Sequence, residues 1–118
     1  MTHEQLLYMT LTEVCPGTKN SYPTGHAPRL PWFAYTRLRG EEFHADNTNY
    51  ARIPRYRVEL LYKENDPDLV ERFESALSSI GAWRLYESDD VDAEGCLLND
   101  YRLSLDISKT REREANHG

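Results

Sequence analysis

The chain has 118 residues, a formal net charge of −6 and a hydrophobic fraction of 39%. One domain of this size buries a core without needing disulfides or a metal. The acidic balance disfavours a general nucleic-acid binder, whose affinity rests on neutralising phosphates. No apolar run reaches the roughly 20 residues that a spanning helix needs. Neither a specific nucleic acid nor a membrane is therefore an expected partner. The N-terminus lacks a basic n-region, so a signal peptide is not expected and the expected compartment is the cytoplasm. Cys15 and Cys96 lie far apart, without the C-x-x-C spacing of zinc sites, and read as reduced thiols.

In chain order, "MTHEQLLYMTLTEV" reads as a helix. Thr2 and Gln5 have the spacing of a capping box, and Leu7, Leu11, Val14 and Cys15 share one face. Cys15 to Pro31 is rich in Pro, Gly, Ser, Thr and Asn and reads as one long loop. The aromatic run from Trp32 to Gly40 reads as a strand ended by glycine. "RYRVELLYK", Arg55 to Lys63, alternates with period two: Tyr56, Val58, Leu60 and Tyr62 point one way, Arg55, Arg57 and Glu59 the other. Such alternation describes a sheet with one buried and one wet face.

A second helix follows, with Asp66 as its N-cap, Pro67 at the first helical position and Gly81 as its C-cap glycine. Leu69, Phe73, Ala76, Leu77 and Ile80 form its apolar stripe. Two more strands are expected, Ala82 to Ser88 and Leu97 to Ile107, joined by the acidic turn "DDVDAEG". Residues 108–118 have almost no apolar content and read as a disordered tail. The predicted fold is a single α+β domain over residues 1–107: an antiparallel sheet of about four strands with two helices packed on one face.

Three constellations have chemistry to offer. His44 and Asp46, two apart on an extended segment, point to one side and could orient an imidazole for acid–base work in a small hydrolase. No third partner or activated nucleophile accompanies them, and a turn shaped by Asp46 and Asn47 is the simpler reading. Asp90 to Gly95 opens like an EF-hand loop, but its twelfth position is Tyr101 where a glutamate is needed, so a solvated hairpin turn is expected. The third is the arginine set: Arg55 and Arg57 with Glu59 on the wet face of their strand, and Arg102 on the polar side of the last strand. Arg84, Ser104 and Asp106 join them if these strands are neighbours. Cross-strand ion pairing is the plain reading of such a face. A subunit or partner interface is the sharper one, since arginine is favoured at such contacts. The scattered glycines form no phosphate-cradling loop. The residues thus call for no catalytic site, cofactor or metal.

One stretch of the chain resembles a family. Phe43, Ala45, Asp46 and Asn47 form an aromatic-x-Ala-Asp-Asn turn. A Tyr-rich strand follows, with Tyr56, Val58, Glu59, Leu60 and Tyr62, and then Lys63, Asp66, Pro67 and Leu69 at a helix start. In order and spacing these are similar to the small tail-completion and tail-terminator-like proteins of siphophages and prophages of Gram-positive bacteria. The likeness spans Pro31 to Asp106, with Leu61 interrupting the usual Glu-Leu-Tyr triplet. It implies a non-catalytic α+β subunit, monomeric before assembly. The subunit would form a ring, expected to be a hexamer, at the head-proximal end of the tail tube and meet tail-tube and head–tail connector proteins. Such a protein works in the host bacterial cytoplasm during assembly and then in the virion. A small protein-binding adaptor or regulatory domain is the alternative.

Overall fold

The computed structural model describes residues 1–20, 29–38, 53–63, 66–91, 95–106 and 108–109. Helix α1 is His3–Thr12. Its capping box is complete: the Thr2 hydroxyl accepts from the Gln5 amide at 3.0 Å, and the Thr2 amide donates to the Gln5 side chain at 2.8 Å. Two orphan donors of the first turn are thereby satisfied. Leu6, Leu7 and Leu11 of α1 are buried, and Cys15 is buried just past its end.

The chain then enters a short strand, β1 (Gly17–Lys19), inside the segment expected to be all loop. This corrects the expected fold: the sheet has five strands and is mixed, because β1 runs parallel to its neighbour β2 (Trp32–Arg37). The physical reason is close packing at the sheet edge. Gly17 lies opposite Phe33, and a Cβ there would overlap the Phe33 ring. The Asn20 amide extends the pairing by donating to the Tyr35 carbonyl at 2.6 Å.

Strand β3 is Arg55–Lys63, antiparallel to β2, and helix α2 is Pro67–Ile80. Strands β4 (Gly81–Asp90) and β5 (Cys96–Leu105) form the closing hairpin. The order across the sheet is β1-β2-β3-β5-β4. Both β3 and β4 are antiparallel to β5, so they run parallel to each other with β5 inserted between them. Helix α2 is the crossover that links them.

Both helices pack on the same face of the sheet. One core cluster joins Leu6, Leu7 and Leu11 of α1, and Leu69, Phe73, Leu77 and Ile80 of α2, to the inward residues of β2, β3 and β5. Aromatic rings run across it: Tyr8 lies 6.2 Å from Phe33, Phe33 6.2 Å from Phe73, Phe73 5.8 Å from Tyr101 and Tyr101 5.5 Å from Trp83.

The ends of α2 depart from expectation. Asp66 occupies the N-cap position but makes no side-chain cap bond. Gly81 is no left-handed cap: its φ of 175° is extended, and it is the first residue of β4. Glycine is needed there for space, because a Cβ would strike the Ser104 carbonyl oxygen of β5. Ser108 and Lys109 form a short turn closed by Asp106, which accepts from the Ser108 amide and hydroxyl at 3.0 and 2.7 Å. The expected tail beyond it, the family-like turn of Phe43, Ala45, Asp46 and Asn47, the His44–Asp46 pair, and most of the loop before Pro31 lie outside the described residues.

Candidate functional site

The sheet face opposite the helices carries the arginine set, and its layout follows from strand register. Arg57 of β3 pairs with Arg102 of β5, which in turn pairs with Arg84 of β4. One step along the strands, Glu59 pairs with Asp100, and Asp100 with Glu87. A row of three guanidinium groups therefore lies beside a row of three carboxylates. Arg55 lies one step further out, paired with Ser104. On the other side of the acidic row, Leu61 faces Trp32 and Leu98.

Like charges directly opposite are unfavourable on a sheet, and the adjacent rows offset one another. Arg57 reaches Glu59 at 3.5 Å and Asp100 at 3.3 Å. Arg102 donates to the other Asp100 oxygen. Asp100 thus ties two arginines together, and its side chain is only 6% exposed against 44% for Arg57. Arg102 is completed from above by Tyr86, whose ring lies 4.4 Å from the guanidinium carbon. The register slips between Leu85 and Glu87, so Tyr86 is the extra residue of a bulge. The bulge leaves it free to lean over Arg102.

Burial is uneven on this face. Ala34 and Leu61 are buried, whereas Arg57, Arg84, Tyr86, Glu87 and Asp89 are exposed. A hydrogen bond with Asp89, the charge of Asp89, and the more distant Asp100 raise the Glu87 pKa, with Arg57 opposing. The exposed part is thus a patch of mixed charge with spare guanidinium donors beside crowded carboxylates.

The helix face holds a second polar group of residues, buried at Asn99 and Tyr101 and reaching the surface at Ser88. Asn99 Oδ1 accepts from the Tyr62 hydroxyl at 3.1 Å and the Ser88 hydroxyl at 2.6 Å. Its Nδ2 donates to the Tyr101 hydroxyl at 3.0 Å, and that hydroxyl donates to Glu74 of α2 at 2.8 Å. Every member has a partner, so the network fixes α2 against β3, β4 and β5 rather than offering an open group. Burial raises the Tyr101 pKa well above the usual tyrosine range, with Asn99 pulling it down and Glu74 pushing it up.

Of the residues singled out from sequence, Arg55, Arg57, Glu59 and Arg102 share one face, Arg84 joins them, and Ser104 lies beside Arg55. Asp106 does not join; it closes the turn after β5. Sequence reading missed Asp100, Tyr86 and Glu87. For Asp100 a signal existed, since it stands two residues from Arg102 in an alternating strand. Cys15 and Cys96 are both buried, and burial pushes the Cys15 thiol up to about 12, with Arg72 opposing. Among the described residues, no group of three or more His, Cys, Asp or Glu side chains is placed to hold a metal ion, and no helix is long and apolar enough to cross a membrane. No protein-family model and no curated protein matches the chain.

Proposed function

We propose that this chain is a structural virion-assembly protein of a phage or prophage. In this reading it completes or terminates the tail at the head–tail junction by forming a ring. The charged face is the surface that meets neighbouring subunits or the tail-tube and head–tail connector proteins. One observation carries the reading: strand register sets the row Arg57–Arg102–Arg84 beside the row Glu59–Asp100–Glu87 on the face the helices leave uncovered. Rows of opposite charge favour correctly registered protein partners and penalise wrong ones more than they add affinity. They would also discourage DNA from sticking to the subunit. The likeness of Pro31 to Asp106 to tail-completion proteins supplies the kind of assembly.

The test is to mix the purified chain with a tail-tube protein encoded alongside it and measure ring formation by sedimentation. Arg55→Glu with Arg57→Glu should leave the subunit folded and abolish assembly. Arg102 is left unchanged in that variant because, of the two arginines that hold the buried Asp100, it is the less exposed, 20% against 44% for Arg57. Assembly at the wild-type level by the double variant would remove this face from the interface.

A further inference from the structure

The outer edge of the sheet carries a second contact surface. Strand β4 is an edge strand of ten residues, and its outer side faces no other strand among the described residues. Exposed edges of this length are templates for pairing with another chain. Leu85 and Tyr86 at its middle are 46% and 60% exposed, and Val91 just past its end is 51% exposed.

We infer that β4 pairs antiparallel with β4 of a second copy of this chain, about a two-fold axis between Leu85 and Tyr86, with Arg84 of each copy opposite Glu87 of the other. Charge complementarity favours a second copy as the occupant, and this register forms an ion pair from Glu87, the most crowded carboxylate of the strand. Around that centre Arg84 and Glu87 are equally spaced, so one strand supplies both halves of two identical ion pairs. Ala82 then meets Asp89, Trp83 meets Ser88 and Gly81 meets Asp90, so no like charges oppose. Centres at Arg84, Glu87 or Ser88 set like charges opposite one another. A centre between Tyr86 and Glu87 would pair Arg84 with Asp89 but leave Glu87 opposite Tyr86 without an ion pair, a register that the Glu87 variants below distinguish.

The bulge makes this register geometrically consistent. Residues three apart in a regular strand point to opposite faces. Here Arg84 pairs with Arg102 and Glu87 with Asp100, both on the charged face, because Tyr86 is inserted between them. Two-fold pairing therefore brings Arg84 and Glu87 together on one side of the joined sheet. At the centre Leu85 of each copy lies on the helix face and Tyr86 on the charged face over Arg102, and each loses part of its exposure to water. The crowding of Glu87 by Asp89 is relieved by the incoming guanidinium. The pairing is a two-fold contact at the sheet edge and does not depend on the ring reading, which concerns the face.

Sedimentation velocity on the full chain alone, over a concentration series, tests it. The wild type should form a concentration-dependent dimer. Arg84→Glu alone and Glu87→Arg alone should each weaken it by about tenfold or more, because each sets like charges opposite. The double variant Arg84→Glu/Glu87→Arg should return the affinity to within about threefold of wild type, since the swapped pair has the same geometry. Both side chains are exposed, so far-UV circular dichroism should stay unchanged; if a reversal unfolds the chain, Arg84→Ala and Glu87→Ala replace it and should weaken the dimer likewise. A chain that stays monomeric throughout, single variants that associate like wild type, or a double variant that fails to recover would overturn the inference.

Discussion

On the helix face, rings from Tyr8 to Trp83 pack in one line, and the polar network around Asn99 gives each of its members a hydrogen-bond partner. On the charged face, Asp100 alone among the described residues is both buried and ionic, and the groups around it grow more exposed toward β4. The same strands thus present a side fixed by burial and a side held together by one carboxylate. A surface of the second kind keeps its shape while leaving charge available to a partner, which a closed network cannot do.

The largest effect should fall on the helix face. Phe73 is fully buried and touches both Phe33 and Tyr101. Phe73→Ala should cost about 3–5 kcal/mol in urea unfolding, from lost burial and the cavity left behind. Next comes Asp100→Ala, which takes the shared carboxylate from Arg102 and Arg57 and should cost about 2–3 kcal/mol. A loss below about 1 kcal/mol would place Asp100 among ordinary surface pairs and erase the contrast drawn between the faces. Tyr101→Phe keeps the ring but removes the hydroxyl between Asn99 and Glu74, and should cost about 1–2 kcal/mol. A neutral result would mean that packing alone seats α2.

A smaller effect is expected at high pH. Cys15 has its pKa raised from 9.0 to about 12, and Tyr35 from 10.0 to about 12, by burial in both cases foremost. The folded state holds these protons more tightly than the unfolded state. Their contribution is therefore complete below about pH 9 and is lost as pH rises toward about 12. Stability measured from pH 8 upward should fall across this range, and Cys15→Ala should flatten the early part of the fall. Identical slopes for the two proteins would remove Cys15 as a cause.

Much of this organisation was legible in the residues. The capping box, the α2 stripe and the full extent of β3 follow from local spacing, as does the division of β3 into an aromatic side and an arginine side. What was not legible depends on distant partners. β1 is three residues long and exists through its pairing with β2. Gly81 resembles a helix cap in sequence, yet its role is set by the Ser104 carbonyl across the hairpin. Asp100 shows only alternation; its place between two arginines needs β5 inserted between β3 and β4, an order that no single segment encodes. Tyr86 gains its role from a bulge, which period-two reading cannot anticipate.

The most direct measurement is sedimentation of the chain with the tail-tube protein that the proposed function makes its partner, comparing wild type with Arg55→Glu/Arg57→Glu. Arg57 is 44% exposed on its side chain but also reaches the buried Asp100, so far-UV circular dichroism of the variant is recorded alongside to show that it is folded. The ring reading predicts a ring from the wild type and a folded subunit that forms no ring from the variant. A variant that assembles into the same ring at the same concentrations would contradict it.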